Sequence, residues 1–252
     1  MATCVHCGGS GWRILERDGL SAAERCDCQL EGRPGRVEAA AAIPPLYRNA
    51  SLENFVLPAD NPIARTALGT VLMTVKSYVR EYPKEDRPGL LFIGDPGSGK
   101  THLAAAALRA LIARGFEGVF FDYQNLLDRI RSGYDKTSES IDREAYRSAL
   151  DADILLLDDL GAHRTTDWVE DTVTSLITHR CNNRKALIAT TNLPDPDAGS
   201  GLHEKSAGAP GGYTQRITLA ERIGMRARSR LFEMCKVIRM PQVEDYRVRK
   251  AR

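Results

Sequence analysis

The sequence predicts an α/β protein built on a mostly parallel, five-stranded sheet with helices on both faces. Three observations predict it. From residue 90 onward, short apolar runs alternate with helical patterns. The first of those runs passes into G-x-x-x-x-G-K-T and then into a helix. A later run, Ile154-Leu-Leu-Leu157, ends in adjacent aspartates, Asp158 and Asp159.

The chain has 252 residues, enough for one such domain and a small appendage. Apolar residues make up 42% and charged residues 27%, which excludes global disorder. No apolar run reaches the roughly 18 residues a membrane helix needs. The first 36 residues carry charges and cysteines without an apolar core, so no secretory signal is expected and the location is expected to be cytoplasmic. Charge is uneven: Tyr213–Arg252 holds 11 Lys+Arg against 4 Asp+Glu in a chain of net +2. A basic end suggests an anionic partner, or else a solvated helix face.

The elements follow in order. Residues 1–30 carry Cys4, Cys7, Cys26 and Cys28, as C-x2-C and C-x-C separated by 18 residues. Without an export signal, disulfides are disfavoured. Four thiolates in two knuckles suit a closed tetrahedral Zn²⁺ site, whose binding would supply the folding energy of so short a segment. Redox-active or unpaired thiols are the alternative, and His6 reads as a bystander. Cys181 and Cys235 are isolated, so each is expected to be a small buried apolar group. Residues 31–60, rich in Pro and Gly, read as a linker with a short helical stretch at 37–42. Asn61-Pro62 opens a helix, as N-cap and first-turn proline. Ile63, Ala67, Val71, Val75 and Val79 form its apolar face, and Pro83 ends it.

Strands are expected at 90–93, 118–122, 153–157, 186–191 and 236–240. Helices are expected at 100–114, 123–132, 141–150, 168–181 and 214–234. The stretch 194–212, rich in Gly, Pro, Asp and Ser, reads as a surface loop.

The chemistry gathers at strand ends. Gly94-Asp95-Pro96-Gly97-Ser98-Gly99-Lys100-Thr101-His102 is a P-loop, with glycines that let successive N–H groups face phosphates at a helix N-terminus. Lys100 is expected on the β- and γ-phosphates of ATP, and the Thr101 hydroxyl on Mg²⁺. Asp158 would share that metal, and Asp159 would orient or deprotonate an attacking water. Asn192, ending the strand Ala186–Thr191, is placed to touch that water or the γ-phosphate, or else to form a turn before Leu193-Pro194.

The order P-loop, Asp-Asp-Leu-Gly, Thr-Thr-Asn-Leu and Ser229-Arg230-Leu231-Phe232-Glu233-Met234 resembles the DnaC/DnaI-type bacterial helicase loaders. These are AAA+ ATPases, and the IstB-type transposition helpers are close relatives. The resemblance spans about Pro45 to Arg249, including Ser51-Leu52-Glu53-Asn54-Phe55, Gly-Lys-Thr-His-Leu-Ala at 99–104 and Asp245-Tyr246-Arg247. It implies an AAA+ ATPase domain over 61–252, cycling between ATP and ADP. It implies that Asn192 is the sensor 1 residue and that Arg230 is an arginine finger acting in a neighbouring copy, with Arg226 and Arg228 as rivals. It also implies a zinc segment that docks the replicative helicase, and single-stranded DNA held by the core. Arg129, Arg131, Lys136 and Tyr134 are the candidates for DNA contact.

Three departures stand out. The stretch 194–212 is long for its place. The chain ends soon after the last strand, leaving no room for a helical lid and its sensor 2 arginine. The catalytic acid is Asp159 where AAA+ proteins usually carry glutamate. The first leaves Arg226, Arg228 and Arg230 open as the finger; the other two imply slow hydrolysis stimulated by oligomerisation or DNA, which suits a switch. The competing readings are a transposition helper on duplex DNA, a small-acceptor kinase and a nucleotide-binding scaffold.

Overall fold

The computed structural model describes residues 12–17, 20–25, 41–83, 86–132, 141–196, 203–205, 213–215 and 217–250. An antiparallel hairpin comes first, β1 (Trp12–Arg17) and β2 (Leu20–Arg25), with Trp12 opposite Arg25. It lies between the two cysteine pairs, in a segment from which the sequence reading draws no strand. The four cysteines themselves fall outside the described residues.

Residues 41–58 follow. Composition reads them as linker, yet Ala41, Ile43, Ala50 and Leu52 are buried. The Ala41 carbonyl accepts from Phe120 N at 2.8 Å, and Pro45–Tyr47 make one 3-10 turn. Of the helical stretch expected at 37–42, Ala41 and Ala42 lie in a turn, Ala42 at φ 54°, and residues 37–40 fall outside the described residues.

Helix α1 (Pro62–Glu81) starts as expected, with the Asn61 side chain accepting from Ala64 N at 2.9 Å. Its buried face differs from the expected one. A strict four-residue step drifts about 40° per repeat around a helix of 3.6 residues per turn, so the expected stripe begins on the solvent side. Ile63 is 84% exposed, and the buried positions are Ala64, Leu68, Val71, Val75, Tyr78 and Val79.

The core sheet uses β3 (Gly89–Ile93), β4 (Gly118–Asp122), β5 (Ile154–Asp158), β6 (Ala186–Thr191) and β9 (Cys235–Arg239). All pairs are parallel, in the order β4-β5-β6-β3-β9. Between them run α2 (Lys100–Ala113), α3 (Tyr123–Ser132), α4 (Ile141–Asp151) and α5 (Asp167–Asn182). Alternate residues feed two cores. Leu90, Phe92, Leu156 and Ile188 face α1 and α2, while Leu91, Ile93, Leu155, Leu157 and Leu187 face α3, α5 and the late helices. Strands buried on both faces read as unbroken apolar runs, which is why they were legible.

The expected helix over 214–234 is divided. Tyr213–Gln215 is a short strand, β8, antiparallel to β7 (His203–Lys205), so the stretch expected as loop contains half of a hairpin. Helix α6 (Leu219–Ile223) opens on a capping box between Thr218 and Glu221. Gly224, at φ 81°, then turns the chain into α7 (Met225–Met234). The Thr-x-x-Glu spacing is the overlooked signal of a helix start. A short helix, α8 (Tyr246–Lys250), follows β9. No helix among the described residues is long and apolar enough to cross a membrane.

At the sheet edge away from the P-loop, Arg180 is fully buried. Its guanidinium donates to the carbonyls of Ala149 (2.8 Å), Leu150 (3.3 Å), Ala152 (3.1 Å), Asp153 (3.1 Å) and Ala186 (2.5 Å). One side chain thus ties the end of α4 to the starts of β5 and β6. Arg180→Met would leave several buried acceptors without a donor, and is expected to lower unfolding free energy by about 2–4 kcal/mol. Urea midpoints check this; a loss under about 1 kcal/mol would mean the carbonyls find other donors.

Candidate nucleotide site

The P-loop joins β3 to α2 at the C-terminal edge of the sheet, where open α/β sheets bind ligands. Gly97 and Gly99 sit at φ 73° and 93°, a region costly for other residues. Space forbids a side chain there too. A Cβ on Gly99 would lie 2.7 Å from the Phe55 ring, and one on Gly97 would collide with the Asp245 carboxylate.

Lys100 is buried, and its ammonium donates to the Gly94 and Asp95 carbonyls at 2.9 and 2.8 Å. Burial pushes its pKa down to about 8, opposed by the charges of Asp159 and Asp158. Ser98 closes the loop, its hydroxyl donating to Asp95 O at 2.8 Å. His102 lines the same cavity, but its ring is engaged elsewhere: Nε2 is 3.1 Å from Ser51 O, and the imidazole packs against Phe55 at 5.6 Å.

Asp158 ends β5 and is buried. It accepts from the Thr190 hydroxyl at 2.6 Å. Burial raises its pKa to about 6, against the Thr190 hydrogen bond, with the neighbouring Asp159 charge adding to the rise. The Thr101 hydroxyl is a hydrogen-bonding neighbour of Asp158 and of the Tyr47 phenol. Asp159 takes a left-handed turn at φ 54°, held by its amide donating to Thr190 Oγ1 at 3.0 Å. Asn192 is exposed beside it, Nδ2 donating to Asp159 Oδ1 at 3.3 Å. Since β6 lies between β5 and β3, both acids, Asn192 and the P-loop share one cavity of about 690 Å3.

The cavity has walls the sequence reading did not assign. Tyr47, Asn54, Phe55, Val56 and Pro58 form one side. Arg109 and His102, seven residues apart on α2, hold that segment by the Ala50 and Ser51 carbonyls. Val243, Glu244, Tyr246 and Arg247 form another wall, with Tyr246 N donating to Gly97 O at 3.2 Å. Arg247 reaches the cavity even though no sensor 2 arginine is expected from the sequence. The only signals were the Ser51–Phe55 and Asp245–Arg247 motifs, to which no chemistry was attached.

The residues fit a magnesium nucleotide. The loop accommodates only glycine where phosphates would approach, a lysine lies in it, and a hydroxyl adjoins a buried carboxylate. Thr101 and Asp158 would hold the metal.

The three candidate arginines separate. Arg228 is 14% exposed and paired with Asp195. Arg230 is exposed and paired with Glu233 at 2.7 Å. Arg226 is exposed, one turn before Arg230 on the same face of α7. Of the DNA candidates, Arg131 is exposed and Arg129 lies over the Phe121 ring at 5.7 Å; Tyr134 and Lys136 fall outside the described residues. Cys235 is buried as expected, whereas Cys181 is partly exposed. No group of three or more metal-ligating side chains occurs among the described residues, and Cys4, Cys7, Cys26 and Cys28 lie outside them.

Fold and site define a P-loop nucleotide-binding α/β protein. Residues 77–204 match the IstB-like ATP binding protein family, and the chain belongs to it. It is 26% identical over 199 residues to phage-like element PBSX protein XkdC of Bacillus subtilis, covering 75% of this chain and 71% of that protein. It is 25% identical over 158 residues to the replicative helicase loader DnaC of Buchnera aphidicola subsp. Schizaphis graminum. That match covers 63% of this chain and 61% of the loader. The crystal structure of the DnaC helicase loader superposes with TM-score 0.61 at 29% identity, over 79% of this chain and 100% of that one. The crystal structure of DnaI superposes at TM-score 0.55 and 20% identity, over 79% and 95% of the two chains, and shares the fold.

The raised pKa of Asp158 has a stability consequence. The folded chain holds this proton more tightly than the unfolded chain, so its contribution declines as pH rises from about 4 to about 6. Asp158→Asn is therefore expected to raise nucleotide-free stability above pH 6 by on the order of 2 kcal/mol, and by little near pH 4. Thermal unfolding across that range checks it; a gain independent of pH would refute the cause.

Proposed function

We propose that the chain is an AAA+ ATPase that loads a replicative DNA helicase onto single-stranded DNA and changes its partner affinity on hydrolysis. One observation carries the reading. A cavity lined by Lys100, Thr101, Asp158, Asp159 and Asn192 sits in a chain that superposes on the crystallised chain of a DnaC helicase loader at 29% identity. The chain spans only about three-fifths of the curated DnaC relatives, so activity and partners are proposals.

Lys100 would exchange the Gly94 and Asp95 carbonyls for phosphate oxygens. Magnesium, held by Thr101 and Asp158, would supply charge neutralisation on the phosphates. Asp159, fixed by Thr190 and Asn192, would orient or take a proton from the attacking water. Asn192 would sense whether the γ-phosphate is present. Arg230, or Arg226 beside it, would complete the site of a neighbouring copy by stabilising transition-state charge. Hydrolysis is thus expected to be slow until copies assemble or DNA binds.

The proposed division is a zinc segment at 1–30 that docks the helicase and an ATPase domain at 61–252, to which residues 41–58, expected from the sequence as linker, add a wall of the cavity. Structural zinc on Cys4, Cys7, Cys26 and Cys28 is supported by the β1–β2 pairing. It brings together the two strand ends from which the cysteine-bearing segments continue. Arg131 on α3 remains a candidate for the DNA backbone, and a cytoplasmic setting fits these partners.

The test is co-elution with the host's replicative helicase under ATP, ADP and no nucleotide. A complex favoured by ATP is expected. It should lose its nucleotide preference in Lys100→Ala and disappear in Cys4→Ser/Cys7→Ser. Absence of a complex in every state, from folded protein, would refute the loader reading and favour a transposition helper with a transposase as partner.

A further inference from the structure

Asp195 and Arg228 form the best-built ion pair of the described residues, and the proposed chemistry does not use it. The Asp195 side chain is fully buried. Arg228 Nε donates to Oδ2 and Nη2 to Oδ1, both at 2.6 Å, and the Phe232 ring lies over the guanidinium at 4.4 Å. A two-point contact of this kind fixes the plane of the guanidinium as well as its distance. Burying both charges is costly, so the arrangement invites a function beyond stability.

Its two ends mark what it joins. Asp195 lies three residues past Asn192, in the loop that leaves β6 beside the cavity. Arg228 lies on α7 between Arg226 and Arg230. The same loop meets α6 through Leu219 N donating to Pro194 O at 3.0 Å. Helix α7 begins at Gly224, a turn at φ 81°, and packs Ala227, Leu231 and Met234 into the core. In its first turn Ala227 is the one buried apolar side chain, and the fork to Asp195 adds two directional hydrogen bonds there that rotation would break.

We infer that the Asp195–Arg228 pair is a strut that sets the direction in which α7 presents Arg226 and Arg230 to a neighbouring copy, and ties that direction to the Asn192 loop. Arg228 is on this account a positioning residue and not the finger. The inference rests on the proposed trans arginine. It adds that a residue outside both nucleotide sites controls how well one copy serves the next.

A mixing experiment tests it, reading hydrolysis together with ATP affinity and thermal unfolding. The acceptor is Arg226→Ala/Arg230→Ala, with an intact nucleotide site and neither exposed arginine. The donor is Asp159→Asn, which binds ATP and keeps its arginines. This donor is expected to restore hydrolysis in the acceptor. Adding Asp195→Asn to the donor should cut that rescue by about tenfold or more, since misplacing a catalytic group by about 1 Å costs up to about a hundredfold. The donor's ATP affinity should not change. As Asp195→Asn leaves a charge unpaired, a second donor carries Asp195→Asn/Arg228→Gln, a neutral couple that keeps a hydrogen bond; it should be equally poor. Either folded donor rescuing within twofold of Asp159→Asn alone would overturn the strut. In particular, full rescue by Asp195→Asn with failure of the Gln variant would make Arg228 the finger itself. If the Asp159→Asn donor rescues nothing, the trans arginine fails first and the strut falls with it.

Discussion

Thr190 stands beside Asp158 where β5 and β6 end, and its single hydroxyl serves both acids. It donates to the Asp158 carboxylate and accepts from the Asp159 amide, and the Thr190 carbonyl takes the Leu160 amide at 2.8 Å. Two carboxylates on consecutive residues would otherwise be free to turn apart. Here one is buried, and the other is held in a left-handed turn that faces the cavity. A non-glycine residue in that conformation costs roughly 1 kcal/mol, and the Thr190 contacts are what hold it there. The parallel register of β5 and β6 brings Thr190 to this place. Arg180 secures the same register from the far edge by gathering carbonyls from both strands. The geometry of the candidate site and the sheet pairing are in this sense one constraint.

Electrostatics give the site its direction. Lys100 and Asp158 are both buried, and burial moves the pKa of each toward neutrality: the lysine down to about 8, the acid up to about 6. Near pH 7 both still carry charge in surroundings that disfavour it. A phosphate chain beside Lys100 and a divalent cation beside Asp158 would relieve both at once. Tyr47, brought in by residues 45–47 and next to the Thr101 hydroxyl, means that the segment before α1 also lines the cavity. That segment is fastened to α2 at Ala50 and Ser51, so it forms part of the site's wall and not merely a tether to the N-terminal segment.

What was legible in the sequence follows physical locality. The sheet strands, the P-loop and the Asn61 cap depend on neighbours in sequence, and they occur where the pattern placed them. The missed features depend on partners far along the chain. The burial of Ala41, Ile43, Ala50 and Leu52 depends on α2 and β4, far along the chain, while the local prolines suggest a linker. Ile63 was misassigned because a four-residue step drifts around the helix. The division of 214–234 was readable from Thr218, Glu221 and Gly224, but a run of arginines at helical spacing concealed it. In the site, Lys100, Asp158, Asp159 and Asn192 converge as their motifs implied. Arg247 and Phe55 enter the cavity through tertiary packing that no motif specifies.

The arginines of α7 show why residue type alone could not assign them. Arg226, Arg228 and Arg230 are chemically identical and lie within two turns, yet helix phase sends one inward and two outward. Arg228 becomes part of the frame because Asp195 and Phe232 are there to receive it. A finger that must reach another copy needs the opposite environment: exposure, and a helix that does not swing. Exposure comes from the outward face shared by Arg226 and Arg230. Rigidity has to come from the inward side, where Ala227, Leu231 and Met234 pack into the core and the Asp195–Arg228 pair adds a directional tie. On the proposed reading, a surface helix acting in trans would be anchored by the buried Asp195–Arg228 pair, at the loop that carries Asn192.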